Sequence, residues 1–165
     1  MAALDPGVAA PDFTLPTMDG KQFSLSEALT HGPVVAAFFK ISCPTCQYAF
    51  PFLQRLYEAH VNKRVTIVGI SQNEKKDTAA FIREYGLTFP VLLDETRTYP
   101  VSNAYGLTNV PTIFWIAQDG EVEVSSVGWI RKEMEELNHR ATAISGDSLK
   151  PLFHPKEQVA EFRAG

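Results

Sequence analysis

The sequence is short of cysteine, of long apolar runs and of basic clusters, and each shortage removes a class of protein. Its 165 residues hold two cysteines, too few for a secreted scaffold in which several disulfide bridges replace a core. The apolar runs are brief, as from Val34 to Phe39, far below the ~18 residues that span a bilayer as a helix. No membrane span is expected. No basic cluster exceeds Lys75-Lys76 or Arg131-Lys132, and 15 Lys and Arg stand against 19 Asp and Glu for a net charge of -4. Nucleic acid is therefore not expected as a partner. Met1 to Pro16 carry Asp5 and early prolines where an export signal needs a positive start and an apolar stretch of about 7 to 15 residues. The expectation from that segment is a cytoplasmic protein, with an exported form whose signal has been removed as the alternative.

Hydrophobic residues make up 45% of the chain, and a compact domain of this size buries roughly 70% of the surface its unfolded chain exposes. One core can form without covalent staples. The two cysteines, Cys43 and Cys46, lie two residues apart, so a bridge between them closes a loop too short to remove much unfolded-state entropy. Any value they have is chemical rather than mechanical.

Along the chain, Asp19-Gly20 between two alternating segments predicts an N-terminal hairpin. Val34 to Phe39, apolar at every position and bounded by turn residues, predicts a central parallel strand covered on both faces. From Thr45 to Val61 the positions Phe50, Leu53, Leu56, Tyr57 and His60 or Val61 recur at helical spacing, with Pro51 expected to kink the first turns. Val65 to Ile70 reads as a second buried strand. Ser71-Gln72-Asn73-Glu74 has the form of a capping box opening a helix that runs to Tyr85 and closes at Gly86. A short strand at Pro90 to Leu93, a short helix from Tyr99 to Tyr105 and a strand from Thr112 to Ile116 follow. Asp119-Gly120 predicts a second hairpin, and Ile130, Met134, Leu137, Ala141 and Ile144 mark one face of a final helix. Leu149 to Gly165 reads as a tail with a short helix around Lys156 to Phe162, either packed on the domain or paired with a second copy. The alternation gives an α/β fold with a mixed central sheet flanked by helices, in a single domain over residues 1–165.

The cysteines fall where the buried strand gives way to the helix. There a sulfur faces unsatisfied amides and the positive end of the helix, which favours the nucleophilic thiolate. Cys43 is the expected attacking thiol and Cys46, one turn inside, the resolving one. Pro44 fits the first turn, where its missing N–H costs nothing. A lone Cys-x-x-Cys is also half of many zinc sites, but His31, His60, His139 and His154 form no paired motif with each other or with cysteine. No metal or other cofactor is expected. An inert buried cysteine pair is the plainer alternative.

Taken together, Ala10-Pro11-Asp12-Phe13-Thr14-Leu15, Cys43-Pro44-Thr45-Cys46 with Phe50-Pro51 after it, Phe89 to Asp94, and Tyr105-Gly106-Leu107 leading to Val110-Pro111-Thr112 resemble the redoxin branch of the thioredoxin-like superfamily. That branch holds the TlpA and ResA type reductases and the peroxiredoxins. The resemblance implies a thioredoxin-like fold with an added helix and strand between about Val65 and Leu93. It also implies a cis bond before Pro111, and Val110, Pro111, Pro44 and Thr45 at the substrate-binding edge. The activity implied is thiol-disulfide exchange with a protein disulfide or small thiol, regenerated by a thiol reductant. Peroxide reduction and a non-catalytic binding role are the competing readings.

The departures are specific. Ala49 stands where many TlpA and ResA type proteins have glutamate, Ala37 where thioredoxin has a buried aspartate, and Ser42 where a tryptophan is common. The peroxiredoxin threonine and proline positions hold Lys40 and Ala36. Lys40, three residues before Cys43, is either a tuner of the thiolate or a solvated strand-end lysine. Thr45 either donates to the thiolate or fills a first-turn position. Phe38, Phe39, Tyr48, Phe50 and Phe52 are mainly expected in the core, and Asp94, Glu95 and Arg97 in a loop that borders the site or caps a helix.

Overall fold

The computed structural model describes residues 2–165. Its frame is a five-stranded sheet ordered β5-β4-β3-β6-β7, with β3 at Val34–Phe39, β4 at Thr66–Ser71, β5 at Val91–Leu93, β6 at Thr112–Ile116 and β7 at Val122–Val127. β3 runs parallel to β4 and β4 to β5, while β6 and β7 are antiparallel additions on the other side. All six residues of β3 are buried, as a central strand covered on both faces requires. Alternate residues serve opposite cores: Val35, Ala37 and Phe39 join one apolar cluster, Val34, Ala36 and Phe38 the other.

The first cluster is closed by α2 at Pro44–His60, α3 at Lys75–Tyr85 and α5 at Arg131–Ser145 through Phe50, Leu53, Phe81, Met134 and Leu137. The second lies under the N-terminal segment, α1 at Leu25–Leu29 and α4 at Pro100–Ala104. The expected hairpin is β1, Thr14–Pro16, paired antiparallel with β2, Gln22–Ser24. α2 continues through Pro51. It buries His60 and leaves Val61 exposed, so the polar residue of that pair is the one inside, where its Nε2 lies 2.8 Å from Asn138 Oδ1.

Two local expectations are corrected. The Ser71 to Glu74 pattern is not a capping box: Ser71 is the last residue of β4, its hydroxyl bonding Thr78 Oγ1 at 2.7 Å and accepting from the Asn73 amide at 3.0 Å. The helix instead starts from Glu74 without a side-chain cap, its stability coming from the Phe81 face. The tail holds no helix around Lys156 to Phe162. Phe162–Arg163 forms a strand, β9, paired antiparallel with β8 at Trp129–Ile130. No described helix is long and apolar enough to cross a membrane.

Candidate active site

Cys43 ends the loop that leaves β3 and is the N-cap of α2. Its Sγ accepts from the Cys46 amide at 3.2 Å, which satisfies one of the idle donors of the first turn. The same thiol donates to the Val110 carbonyl at 3.3 Å. Both cysteines are free thiols, Cys43 half-buried and Cys46 fully buried. Burial pushes the Cys46 thiol far above its ordinary range, and the Cys43 side chain pushes it further, through a hydrogen bond first and charge second; the Lys40 backbone and charge act in the opposite sense. The two sulfurs are therefore inequivalent. One meets solvent and helix-start amides, the other meets hydrocarbon.

The Val110-Pro111 bond is cis, as the family resemblance implied, and it brings Val110 to the Cys43 sulfur. Pro44 is exposed beside it. Thr45 is buried, and its hydroxyl donates to the Ala164 carbonyl at 2.6 Å rather than to the thiolate. Lys40 is exposed, with Nζ 6.0 Å from the centre of the Tyr99 ring. Ala37 and Ala49 are buried around Cys46 in the same apolar cluster, so no carboxylate at either position can take the Cys46 proton. Ala36 and Lys40, at the peroxiredoxin signature positions, carry no hydroxyl toward Cys43.

A groove of about 490 Å³ opens at Cys43, bordered by Lys40, Gln72, Tyr99, Asn103, Asn109 and Gly165. Among the described residues, Lys40 is the one charged side chain lining it. The loop after β5 supports one flank. Asp94 is buried and its carboxylate accepts from the Glu95, Val101 and Ser102 amides and, at 2.7 Å, from the Ser102 hydroxyl. Ser102 Oγ in turn accepts from Gln72 Nε2 at 2.9 Å. Asp94 is thus a buried cap of α4 and reaches the groove only through Ser102 and Gln72. Glu95 folds back on the Arg97 and Thr98 amides, which makes that stretch a turn and not part of the groove.

Sequence reasoning missed Gln72. The available signal was its place immediately beyond the carboxyl end of a buried parallel strand, where α/β folds gather binding groups. Of the aromatic residues, Phe38, Phe39 and Phe50 are wholly buried, while Tyr48 and Phe52 are half-buried under the tail. Among the described residues, no three His, Cys, Asp or Glu side chains gather as a metal site would.

Comparison with known proteins extends this geometry. The model of the AhpC/TSA family matches residues 6–125. The thiol-disulfide oxidoreductase ResA of Geobacillus thermodenitrificans is 33% identical over 128 residues, 77% of this chain and 72% of its own. ResA of Bacillus subtilis is 32% identical over 133 residues, covering 80% and 73%. Among solved structures, a secreted disulfide oxidoreductase of Mycobacterium tuberculosis superposes with a TM-score of 0.63 at 27% identity, over 79% of this chain and 95% of that one. The thioredoxin domain of a thiol-disulfide oxidoreductase from Bacteroides vulgatus does so with a TM-score of 0.74 at 21% identity, over 87% and 99%; this last likeness concerns the fold alone.

Proposed function

The chain belongs to the AhpC/TSA family and is a thiol-disulfide oxidoreductase acting on a protein or thiol substrate, and from that premise we propose that Cys43 is its nucleophile and Cys46 its resolving thiol. The carrying observation is their inequivalence: Cys43 caps α2 and receives the Cys46 amide, while Cys46 is buried with a raised pKa.

Starting from the dithiol, Cys43 gives up its proton and its thiolate attacks one sulfur of the partner disulfide. An S–S bond forms between Cys43 and that sulfur as the partner's own S–S bond breaks and its other sulfur leaves as a thiolate. Cys46 then loses its proton and attacks Cys43 Sγ, forming the Cys43–Cys46 bond and releasing the second partner sulfur. Two electrons and two protons pass from the enzyme dithiol to the partner, and an external dithiol reductant restores the enzyme. Val110, through its carbonyl, orients the resting Cys43 thiol, and Pro111 holds that carbonyl in place. Because Ala37 and Ala49 place no carboxylate beside the buried Cys46 to take its proton, the rate of the resolving step should rise with pH.

Trapping tests the roles. Incubated with a disulfide-bearing protein, Cys46→Ser should accumulate a mixed disulfide and Cys43→Ser none. Equal accumulation by both, or by neither, would contradict the assignment.

A further inference from the structure

The groove beside Cys43 has Gln72 in its lining and, at another part of its rim, the protein's own tail through Gly165. β9 pairs Trp129 with Arg163 and Ile130 with Phe162. Beyond it the backbone passes over the first turn of α2, where the Thr45 hydroxyl holds the Ala164 carbonyl at 2.6 Å. It then reaches the Val110 loop, where Asn109 Nδ2 donates to the Gly165 carbonyl at 3.4 Å. The fit is close. A Cβ on Gly165 would stand 2.5 Å from the Val110 oxygen, and one on Gly128, which has φ +77°, would stand 2.6 Å from the Arg163 oxygen. The Arg163 guanidinium lies 4.5 Å from the centre of the Tyr48 ring. The segment therefore lies against the very carbonyl to which the Cys43 thiol is bonded.

Resting on the exchange reading above, we propose that Phe162 to Gly165 is a specificity element of the reaction: a wall that admits small disulfides to Cys43 and hinders disulfides set in a protein surface. A small disulfide needs only the 490 Å³ groove between Lys40, Tyr99 and Asn109. A disulfide carried on a folded protein brings its neighbouring backbone, which must clear both flanks, and one of them is occupied by Gly165, with Ala164 anchored behind it on Thr45. The wall is separable from the fold, because Glu161 to Gly165 are all exposed and contribute no core residue. Its hold consists of two strand-paired residues and a few hydrogen bonds, each worth about 1 kcal/mol, so it can yield to a partner that binds well.

The test compares the intact chain with one lacking Phe162 to Gly165 on two oxidants, 2-hydroxyethyl disulfide and folded insulin. Removing the wall should raise the rate on insulin relative to that on 2-hydroxyethyl disulfide by roughly tenfold, the factor equivalent to about 1.4 kcal/mol of released contact. Thr45→Val, which removes the donor to Ala164 without shortening the chain, should shift the same ratio in the same direction by a smaller factor; this keeps the test decisive if the shortened chain folds poorly. Equal factors on the two oxidants, or a fall in the insulin rate alone, would overturn the proposal. Failure of the intact chain on 2-hydroxyethyl disulfide itself would overturn the exchange reading, and the wall with it.

Discussion

The two flanks of the Cys43 groove are built in opposite ways. On the Gln72 side a buried carboxylate, Asp94, gathers three backbone amides and one hydroxyl, and the chain of bonds ends at Gln72 inside the fold. On the tail side Phe162 and Arg163 are exposed, and the contacts are a two-residue strand pairing, a surface bond from Asn109 and a half-buried bond from the Thr45 hydroxyl. Both flanks are hydrogen-bonded, yet the first is bonded mainly where water cannot replace the partner, and the second mainly where it can. Burial, more than the number of bonds, decides which wall is permanent, because an unmet buried donor retains its full desolvation penalty. One side of the groove is therefore fixed with the core, and the other can open while the core stays folded.

The sharpest way to break that contrast is Asp94→Ala. The substitution leaves the Val101 and Ser102 amides without their acceptor in a buried setting, and the Glu95 amide without its own nearer the surface. Equilibrium urea unfolding should show a loss of about 3 kcal/mol. A loss below about 1 kcal/mol would mean that this flank is no more fixed than the tail. Deleting Phe162 to Gly165, which gives up only exposed residues and partly solvated bonds, should move the same unfolding curve by less than Asp94→Ala does.

Cys46 lies beneath both flanks and reports which of them keeps it dry. Its thiol pKa is raised by burial first, so the folded reduced protein holds a proton that the unfolded chain releases above about pH 8.5. Stability from this group is fully present below that pH and declines above it, by at most about 1.4 kcal/mol per pH unit. The useful window is about pH 8.5 to 10, since the buried Tyr105 hydroxyl, also raised by burial, adds the same sign of dependence above it. Thermal melts of the reduced protein should fall through this window, and Cys46→Ala should remove most of the slope. Because Cys46 packs with Phe39, Phe50 and Ala49 in the core, the slope should survive deletion of the tail. Its disappearance there would make the tail the source of burial.

The same distinction explains what could be read from the sequence. β3, β6 and the amphipathic faces of α2 and α5 are written in apolar periodicity, and Gly86 and Gly146 mark helix ends where the structure has left-handed caps. The Cys43 to Cys46 spacing carried the chemistry, and the segments around Pro111 carried the family. The tail flank carried no such mark. β9 is two residues long and exposed; it is a strand because Trp129, more than 30 positions earlier, offers it a partner, and no local pattern records that. Ser71 misled for the converse reason: its spacing to Glu74 fits a cap, but strand pairing with Phe39 and Leu93 had already claimed it. The Asp94 to Gln72 connection spans two loops and has no periodic signature at all.

The gentlest test acts on the tail far from the cysteines. Arg55 holds Glu157 through two bonds of 2.7 Å each, and this pairing, with a smaller contribution from the His154 amide, draws the Glu157 carboxyl down to about 2. A carboxyl lowered in the folded state stabilises above its ordinary range and loses that contribution as pH falls from about 4.3 toward 2. Both groups are partly exposed, so the effect on global unfolding is small. The tail should register it first: hydrogen exchange at the Arg163 amide, in the pairing of β9 with β8, should quicken as pH drops through that range, after correction for the intrinsic exchange rate. Arg55→Gln should show the quickened exchange already at pH 7, with no further pH dependence between 4 and 2. If exchange in β9 ignores both the acid and the substitution, the tail is held by the Trp129 and Thr45 contacts alone, and the two flanks are closer in firmness than their burial implies.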